Sequence, residues 1–362
     1  MYNNCNNPHD PYESNADEFS FYSLNGNTKD IIVNDNMLYV ANSEEALKIY
    51  EILSDDNQVN ALDFVTSHYY SDFDNDKEIR KVIYAQFDDY GAPVSMFHYG
   101  SLFYSGVPEF EPDELECYSA TNITQFTIDE TSGIAPNSMA LYIINRSLPE
   151  SQYQNNPGTS SIIKYNLEHT SFESSGLTLN YIDGTCSTVL SGLNYETTDL
   201  HFNENVLAIS NSIEDDYYVE LFNTNDLDEN EELNTSFLKI KTDSKPLDVI
   251  LLDSQTILTG LSDYRGCYIT LLGNDSQIDA NFTIASGFSV INIVAQNDII
   301  VLNCGGNGVL IYKRNGNDFQ HLASLNSFFA YNSAIYDSDL NDNLVTIFVA
   351  SKTGIEIYNL EI

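Results

Sequence analysis

One block of sequence recurs along this chain and stops before its last copy is complete. The clearest copy runs Asp30-Ile-Ile-Val-Asn-Asp-Asn-Met-Leu-Tyr-Val-Ala41, then Ala46-Leu-Lys-Ile-Tyr-Glu-Ile52, then Val59-Asn-Ala-Leu-Asp-Phe-Val65. Apolar and polar residues alternate in short runs broken by Asn, Asp, Gly and Ser, the period-two pattern of half-buried strands. The block therefore reads as four strands over 30–34, 37–42, 46–52 and 59–65. The same order returns from Asp199, from Asp248 and from Asn292. Aromatics on the third strand set the period: Tyr50, Tyr165, Phe222, Tyr312 and Tyr358 are separated by 115, 57, 90 and 46 residues, and the two longest gaps each hold two units. That makes seven units.

The final segment, Gly354-Ile-Glu-Ile-Tyr-Asn-Leu360, is only the third strand of its unit, and the missing fourth matches Asp17-Glu-Phe-Ser-Phe-Tyr-Ser-Leu24 at the other end. Pairing the two ends closes a ring of sheets with no terminal edge open to another chain. The expected fold is all-β: a seven-bladed β-propeller of four-stranded antiparallel blades, its C-terminal blade completed by an N-terminal strand. Residues 17–362 form one domain after a flexible tail at 1–16. The second unit, from Ile79-Arg-Lys-Val-Ile-Tyr84, is the least regular, because the acidic stretch 109–116 interrupts it. The third carries a polar surface insertion at 147–159, rich in Pro, Asn and Gly.

Charge limits the partners. With 54 Asp and Glu against 14 Lys and Arg, the formal charge is −40, so nucleic acid and anionic lipid are repelled. The acidity is distributed along the chain and accompanies 25 Tyr and 19 Phe, which marks a folded surface rather than a disordered tail. Such a surface suits ion-rich surroundings, where self-repulsion is screened within a Debye length of about 8 Å. The expected location is extracellular or in the cell envelope.

Five cysteines, Cys5, Cys117, Cys186, Cys267 and Cys304, lack CxxC spacing and are read as mostly buried strand residues with at most one or two disulfides. Cys5, ahead of a polar leader, matches the start of a mature bacterial lipoprotein and is the candidate lipid attachment. An unremarkable tail cysteine is the alternative. No run approaches the roughly 18 apolar residues that span a bilayer.

Leu38-Tyr-Val-Ala41 leading into Ala46-Leu-Lys-Ile-Tyr50, and Ile347-Phe-Val-Ala350 leading into Gly354-Ile-Glu-Ile-Tyr358, resemble the LVIVD-repeat β-propellers of bacterial and archaeal surface proteins. The resemblance covers most of 17–362 and is weakest in the second unit. It implies a fold and very little about activity. The chain has no Trp, so it lacks both the Trp-Asp signature of WD40 blades and the tryptophan docking motif of quinoprotein dehydrogenases. Gly305-Gly306 occurs in one unit only, against a kelch assignment.

Asp30, Asp199, Asp248 and Asn292 hold the first-strand entry position of their units in register, and first strands line the axis of a propeller. They are expected to form a polar ring at a channel mouth. Such carboxylates suit a hard cation, but the plainer reading is that each accepts backbone N–H groups at a strand entry. Asp72, Asp74 and Asp76 form a D-x-D-x-D run, a candidate calcium loop, although Lys77 and Ile83 stand where an EF-hand requires Gly and Glu. A similar cluster spans Asp337, Asp339, Asn341 and Asp342. In a chain this acidic, solvated loop charge is the plainer reading of both.

The six histidines, His9, His68, His98, His169, His201 and His321, are scattered, with no nucleophile elbow, no H-E-x-x-H and no zinc spacing. Asp199 and His201 share a strand face, a local contact rather than a triad. Gly305-Gly-Asn-Gly308 reads as a hairpin turn, and sequons at Asn122, Asn145, Asn234, Asn274 and Asn281 matter only in a glycosylating system. No cofactor is expected, with calcium left as the candidate at the acidic clusters. The functional expectation is a non-catalytic, exported or cell-surface binding and scaffold module with a protein or glycan partner. Two alternatives are a propeller enzyme, hydrolase or lyase, using a metal or carboxylates at the channel mouth, and a structural subunit of a surface assembly.

Overall fold

A computed structural model describes residues 16–24, 27–43, 46–55, 58–68, 79–86, 91–97, 102–104, 113–115, 123–129, 138–146, 160–174, 177–193, 196–213, 215–226, 233, 235–337 and 344–361. Its strands assemble into seven four-stranded sheets. Blade 1 comprises β2 (Thr28–Asn34), β3 (Met37–Asn42), β4 (Ala46–Asp55) and β5 (Gln58–His68). Blade 2 comprises β6 (Ile79–Gln86), β7 (Gly91–Phe97), β8 (Leu102–Tyr104) and β9 (Asp113–Leu115). Blade 3 comprises β10 (Ile123–Asp129), β11 (Ser138–Arg146), β12 (Ser160–Ser174) and β13 (Leu177–Leu193). Blade 4 comprises β14 (Glu196–Asn203), β15 (Val206–Ile213), β16 (Asp216–Asn223) and β17 (Leu238–Thr242). Blade 5 comprises β18 (Pro246–Asp253), β19 (Thr256–Leu261), β20 (Cys267–Leu272) and β21 (Ile278–Ile284). Blade 6 comprises β22 (Asn292–Gln296), β23 (Ile299–Asn303), β24 (Val309–Asn315) and β25 (Asp318–Leu325).

Blade 7 joins the two ends of the chain. Its sheet runs β26 (Ala330–Tyr336), β27 (Leu344–Ser351), β28 (Gly354–Glu361) and then β1 (Ala16–Ser23). Phe19 lies opposite Tyr358 and Ser23 opposite Gly354, antiparallel, as the incomplete last repeat requires. At Gly354, φ is +149°, and a Cβ there would lie 2.0 Å from the Tyr22 carbonyl oxygen, so the closure needs glycine at this position.

Each apolar cluster sits between neighbouring blades. Ile31, Leu38 and Tyr50 of blade 1 pack with Phe348, Ile355 and Ile357 of blade 7, and Tyr22 and Leu24 lie against them. Tyr142 and Ile162 of blade 3 pack with Phe202 and Phe222 of blade 4. The third-strand aromatics Tyr50, Tyr165, Phe222, Tyr312 and Tyr358 are all buried, so their spacing reports interblade packing. Outer strands are wetter, as in β21, where residues 278–281 are all exposed.

The structure extends the sequence reading at blade 2, where the acidic stretch 109–116 contains the outer strand β9, paired with β8. The antiparallel order of every blade places the first-to-second and third-to-fourth connections on one face of the ring. The second-to-third connections and the blade-to-blade crossings lie on the other, called here the entry face. The tail residues 1–15 and the insertion 147–159 lie outside the described residues.

Candidate functional site

First strands begin on the entry face with a recurring irregularity. The pairing register slips by one residue between Thr28 and Asp30, Ile79 and Lys81, Ile123 and Gln125, Thr197 and Asp199, Pro246 and Asp248, and Ala330 and Asn332. A bulge re-aims the side chain that follows it. The residue after each slip, with Asn292 opening β22, gives a ring of seven: Asp30, Lys81, Gln125, Asp199, Asp248, Asn292 and Asn332. Six of the seven line one axial cavity of about 460 Å³, in the size range of small-molecule sites. A second space, of about 530 Å³, shares Ile32, Val294, Ala295 and Asn332 with it.

The carboxyls are engaged with the backbone of the next blade. Asp30 Oδ2 accepts the Val82 N–H (2.8 Å), Asp199 Oδ2 the Val249 N–H (2.9 Å) and Asp248 Oδ2 the Ile293 N–H (2.6 Å). Asp30 Oδ1 also accepts from its neighbour Ile31 (3.0 Å) and from Asn332 Nδ2. Lys81 Nζ donates to Gln125 Oε1 (3.0 Å), and Asn303 Nδ2 to Asn292 Oδ1 (2.9 Å).

Burial dominates the electrostatics here. It raises the Asp30 carboxyl above the usual range, against the lowering effects of the Lys81 ammonium and the Val82 N–H. Asp199 is raised by burial and drawn back by Lys81, and Asp248 is raised well above the usual range by burial and then by the adjacent Asp199 charge. The two carboxyls adjoin, because Asp199 holds the N–H of Val249, the chain neighbour of Asp248. Two buried carboxylates side by side repel one another, which favours a proton on one of them.

His201 lies two residues below Asp199 and faces the same cavity. Its Nδ1 accepts the Leu251 N–H (3.2 Å), which makes it a backbone partner of blade 5 rather than of Asp199. Burial and the Lys81 charge lower its pKa to about 4, so it is neutral near pH 7. His321 contacts Ser324 Oγ (3.1 Å) and stacks edge-on against Tyr312. His169 is buried.

The sequence-level ring residues Asp30, Asp199, Asp248 and Asn292 are thus brought to one cavity together with Lys81 and Asn332; these two, and Gln125, which joins the ring through Lys81, are residues that sequence reasoning missed. A positional signal was available, since all seven open a first strand, but the side-chain type changes from acid to amide to base. Among the described residues no group of three or more His, Cys, Asp and Glu is arranged to hold a metal ion. The candidate calcium loop Asp72, Asp74 and Asp76, the candidate lipid attachment Cys5, and His9 and His98 lie outside the described residues. Cys186 is disulfide-bonded, whereas Cys267 and Cys304 are free and buried. Gly305 to Gly308 form a turn in which the Cys304 N–H donates to Gly308 O (2.8 Å). Among the described residues no helix is long and apolar enough to cross a membrane.

Large aromatics project from the entry face. Tyr264, in the β19–β20 connection, is 63% exposed on a left-handed backbone with φ +60°, which is unusual for a bulky side chain. Its N–H donates to Ser289 Oγ (2.9 Å), and its carbonyl accepts from Gly287 (2.9 Å). Phe328, in the β25–β26 connection, is 69% exposed and touches the Phe21 ring at a centroid distance of 6.1 Å. Its N–H donates to Oε1 of the fully buried Glu356 (3.1 Å), and Tyr358 Oη contacts both Glu356 Oε2 (3.0 Å) and the Asn326 carbonyl (2.5 Å). Lys29 Nζ sits 4.4 Å from the ring centre of nearby Tyr331.

No protein-family model matches the chain, and no curated protein matches it in sequence. Solved structures do match in shape. The WD40 β-propeller domain of Doa1 superposes with a TM-score of 0.58 at 11% identity, covering 94% of this chain and 95% of that one. Sqt1 of Saccharomyces cerevisiae gives 0.58 at 10% identity, covering 97% and 100%. The computationally designed Ika8 protein gives 0.56 at 11% identity, covering 94% and 98%. At such identities the likeness is one of fold, shared even though this chain has no Trp from which to build a Trp-Asp signature.

Proposed function

We propose that this β-propeller is a non-catalytic binding and scaffold module, exported or displayed at the cell surface, which engages a protein or glycan partner on its entry face. The observation that carries the reading is the pair of exposed aromatics on fastened loops, Tyr264 held by Ser289 and Gly287, and Phe328 held by the buried Glu356. Rigid, amphipathic aromatic area loses little conformational entropy on binding, which is why such residues anchor recognition surfaces. The axial carboxyls point the same way, because each ties down a backbone N–H of the next blade.

Export is supported by the acidic surface and by the bonded state of Cys186, since disulfides persist in oxidising compartments. The LVIVD-repeat likeness of 38–50 and 347–358 belongs to the same proposal, as do lipid attachment at Cys5 and calcium at Asp72, Asp74 and Asp76. The test is a glycan array and a panel of surface-exposed proteins, probed with the wild type and with a Tyr264→Ser/Phe328→Ser double variant. Truncating two anchors of this kind costs about 2 kcal/mol or more each at a recognition surface. Binding should therefore fall by a factor on the order of 1,000 while the melting temperature holds. A bound partner indifferent to both substitutions would defeat the proposal.

A further inference from the structure

We infer that Asp199 and Asp248 form a proton-held lock across blades 4, 5 and 6, closed while the two carboxyls share a proton and loosened when it leaves. The geometry is a relay: Asp199 on β14 reaches the Val249 N–H on β18, and Asp248 on β18 reaches the Ile293 N–H on β22. Val249, whose N–H Asp199 holds, is the chain neighbour of Asp248, so the two carboxyls sit side by side on the wall of the axial cavity. Both side chains are more than nine-tenths buried, at 3% and 7% exposure. Losing the proton places two carboxylates against each other where little solvent screens them, and such a pair titrates as a unit.

Among the described residues, no second cation acts on this pair. Lys81 on β6 is the cation acting on Asp199 and Asp248, and it also acts on Asp30 of β2. His201, on the same strand as Asp199, is uncharged near neutral pH. Cys267 on β20 is pushed upward by burial and then by the Asp248 charge, so its thiol stays neutral. The next ring positions, Asn292 and Asn332, are amides. Deprotonation therefore leaves three carboxylates in the ring facing one ammonium, and the seam that relaxes forms part of the wall of the axial cavity.

The direction of the pH effect follows from the raised Asp248 carboxyl. Its folded value lies above its unfolded one, so its contribution to stability is complete below the ordinary carboxylate range and is lost as pH rises through the folded value. Infrared difference spectra of the full-length protein read the proton directly. A protonated carboxylic-acid carbonyl stretch should be present near neutral pH, diminish on alkaline titration, and be reduced in Asp248→Asn. Hydrogen exchange of peptides covering 246–253 and 292–296, corrected for intrinsic rates, reads the lock. Protection there should fall about tenfold for each unit of carboxyl shift titrated in the wild type and stay level in Asp248→Asn, whose amide donates to Asp199 at any pH. Absence of the acid band at neutral pH in the wild type would overturn the inference, even if the variant failed to fold. So would identical exchange profiles in the two proteins.

Discussion

The seam between blades 7 and 1, where the chain meets itself, offers a quantitative test at Asn359. This side chain is almost fully buried, and its amide imitates a strand edge. Oδ1 accepts the Val59 N–H (3.3 Å) and the Thr346 hydroxyl (2.7 Å), while Nδ2 donates to the Val59 carbonyl (3.2 Å). Asn359→Leu keeps the branched outline of the side chain, somewhat enlarged, and leaves up to three buried polar groups without their partner. Each such group costs about 1–3 kcal/mol, so the expected loss is about 3–9 kcal/mol if all three are orphaned. A calibrating variant lies nearby: Tyr22→Phe removes only the hydroxyl that accepts the Leu62 N–H (2.9 Å) and should cost about 1–2 kcal/mol. Urea unfolding followed by far-ultraviolet circular dichroism measures both, with an unchanged slope showing that the unfolded state is comparable. A loss below about 1 kcal/mol for Asn359→Leu, or a larger loss for Tyr22→Phe, would refute the claim that these side chains hold the ring shut.

Two further tests concern the closure and the axis. Deleting residues 1–24 strips β1 from β28 and should cause aggregation or loss of cooperative melting, whereas deleting 1–14 should be mild. Gly354→Ala, which forces a methyl against the Tyr22 carbonyl at a positive φ, should lower stability by about 1–3 kcal/mol or more. An unchanged melt after the longer deletion contradicts strand exchange between the ends. At the axis, nuclear magnetic resonance titration should find His201 near its depressed value of about 4. Its folded value lies below its unfolded one, so its contribution to stability is present above about pH 6.5 and fades as pH falls toward that value. A titration midpoint near 6.5 in the folded protein would show that the ring is not buried as described.

Period-two alternation, the buried third-strand aromatics and the unfinished last repeat were all legible in the sequence, because each reflects packing that recurs blade after blade. The entry residues Asp30, Asp199, Asp248 and Asn292 were legible as one register because all four are acceptors of similar shape. Lys81 and Gln125 were not, because a bulge fixes a backbone position and leaves the side chain free to change type. The strand β9 was hidden for a related reason: Asp113–Leu115 pairs with β8 despite an acidic composition that argues for a loop. Tyr264 gave no signal, since its left-handed backbone is imposed by bonds from Gly287 and Ser289, more than twenty residues away.

The ring also shows why an acceptor belongs at a first-strand entry. The blades are separate sheets, so the first strands β6, β18 and β22 bring to the axis N–H groups that are met from outside their own sheet, and a buried N–H without a partner is costly. The preceding blade supplies the acceptor, as Asp30 does for Val82, Asp199 for Val249 and Asp248 for Ile293. At the seam between blades 7 and 1 the pattern changes. The Ile31 N–H is met by its own neighbour Asp30, and Asn332 reaches Asp30 side chain to side chain. The link from backbone to the adjacent blade moves outward there, to Val59 on Asn359 and Leu62 on Tyr22. The junction is thus secured at the rim, by residues of β28 and β1 that come together only once the chain has gone all the way round.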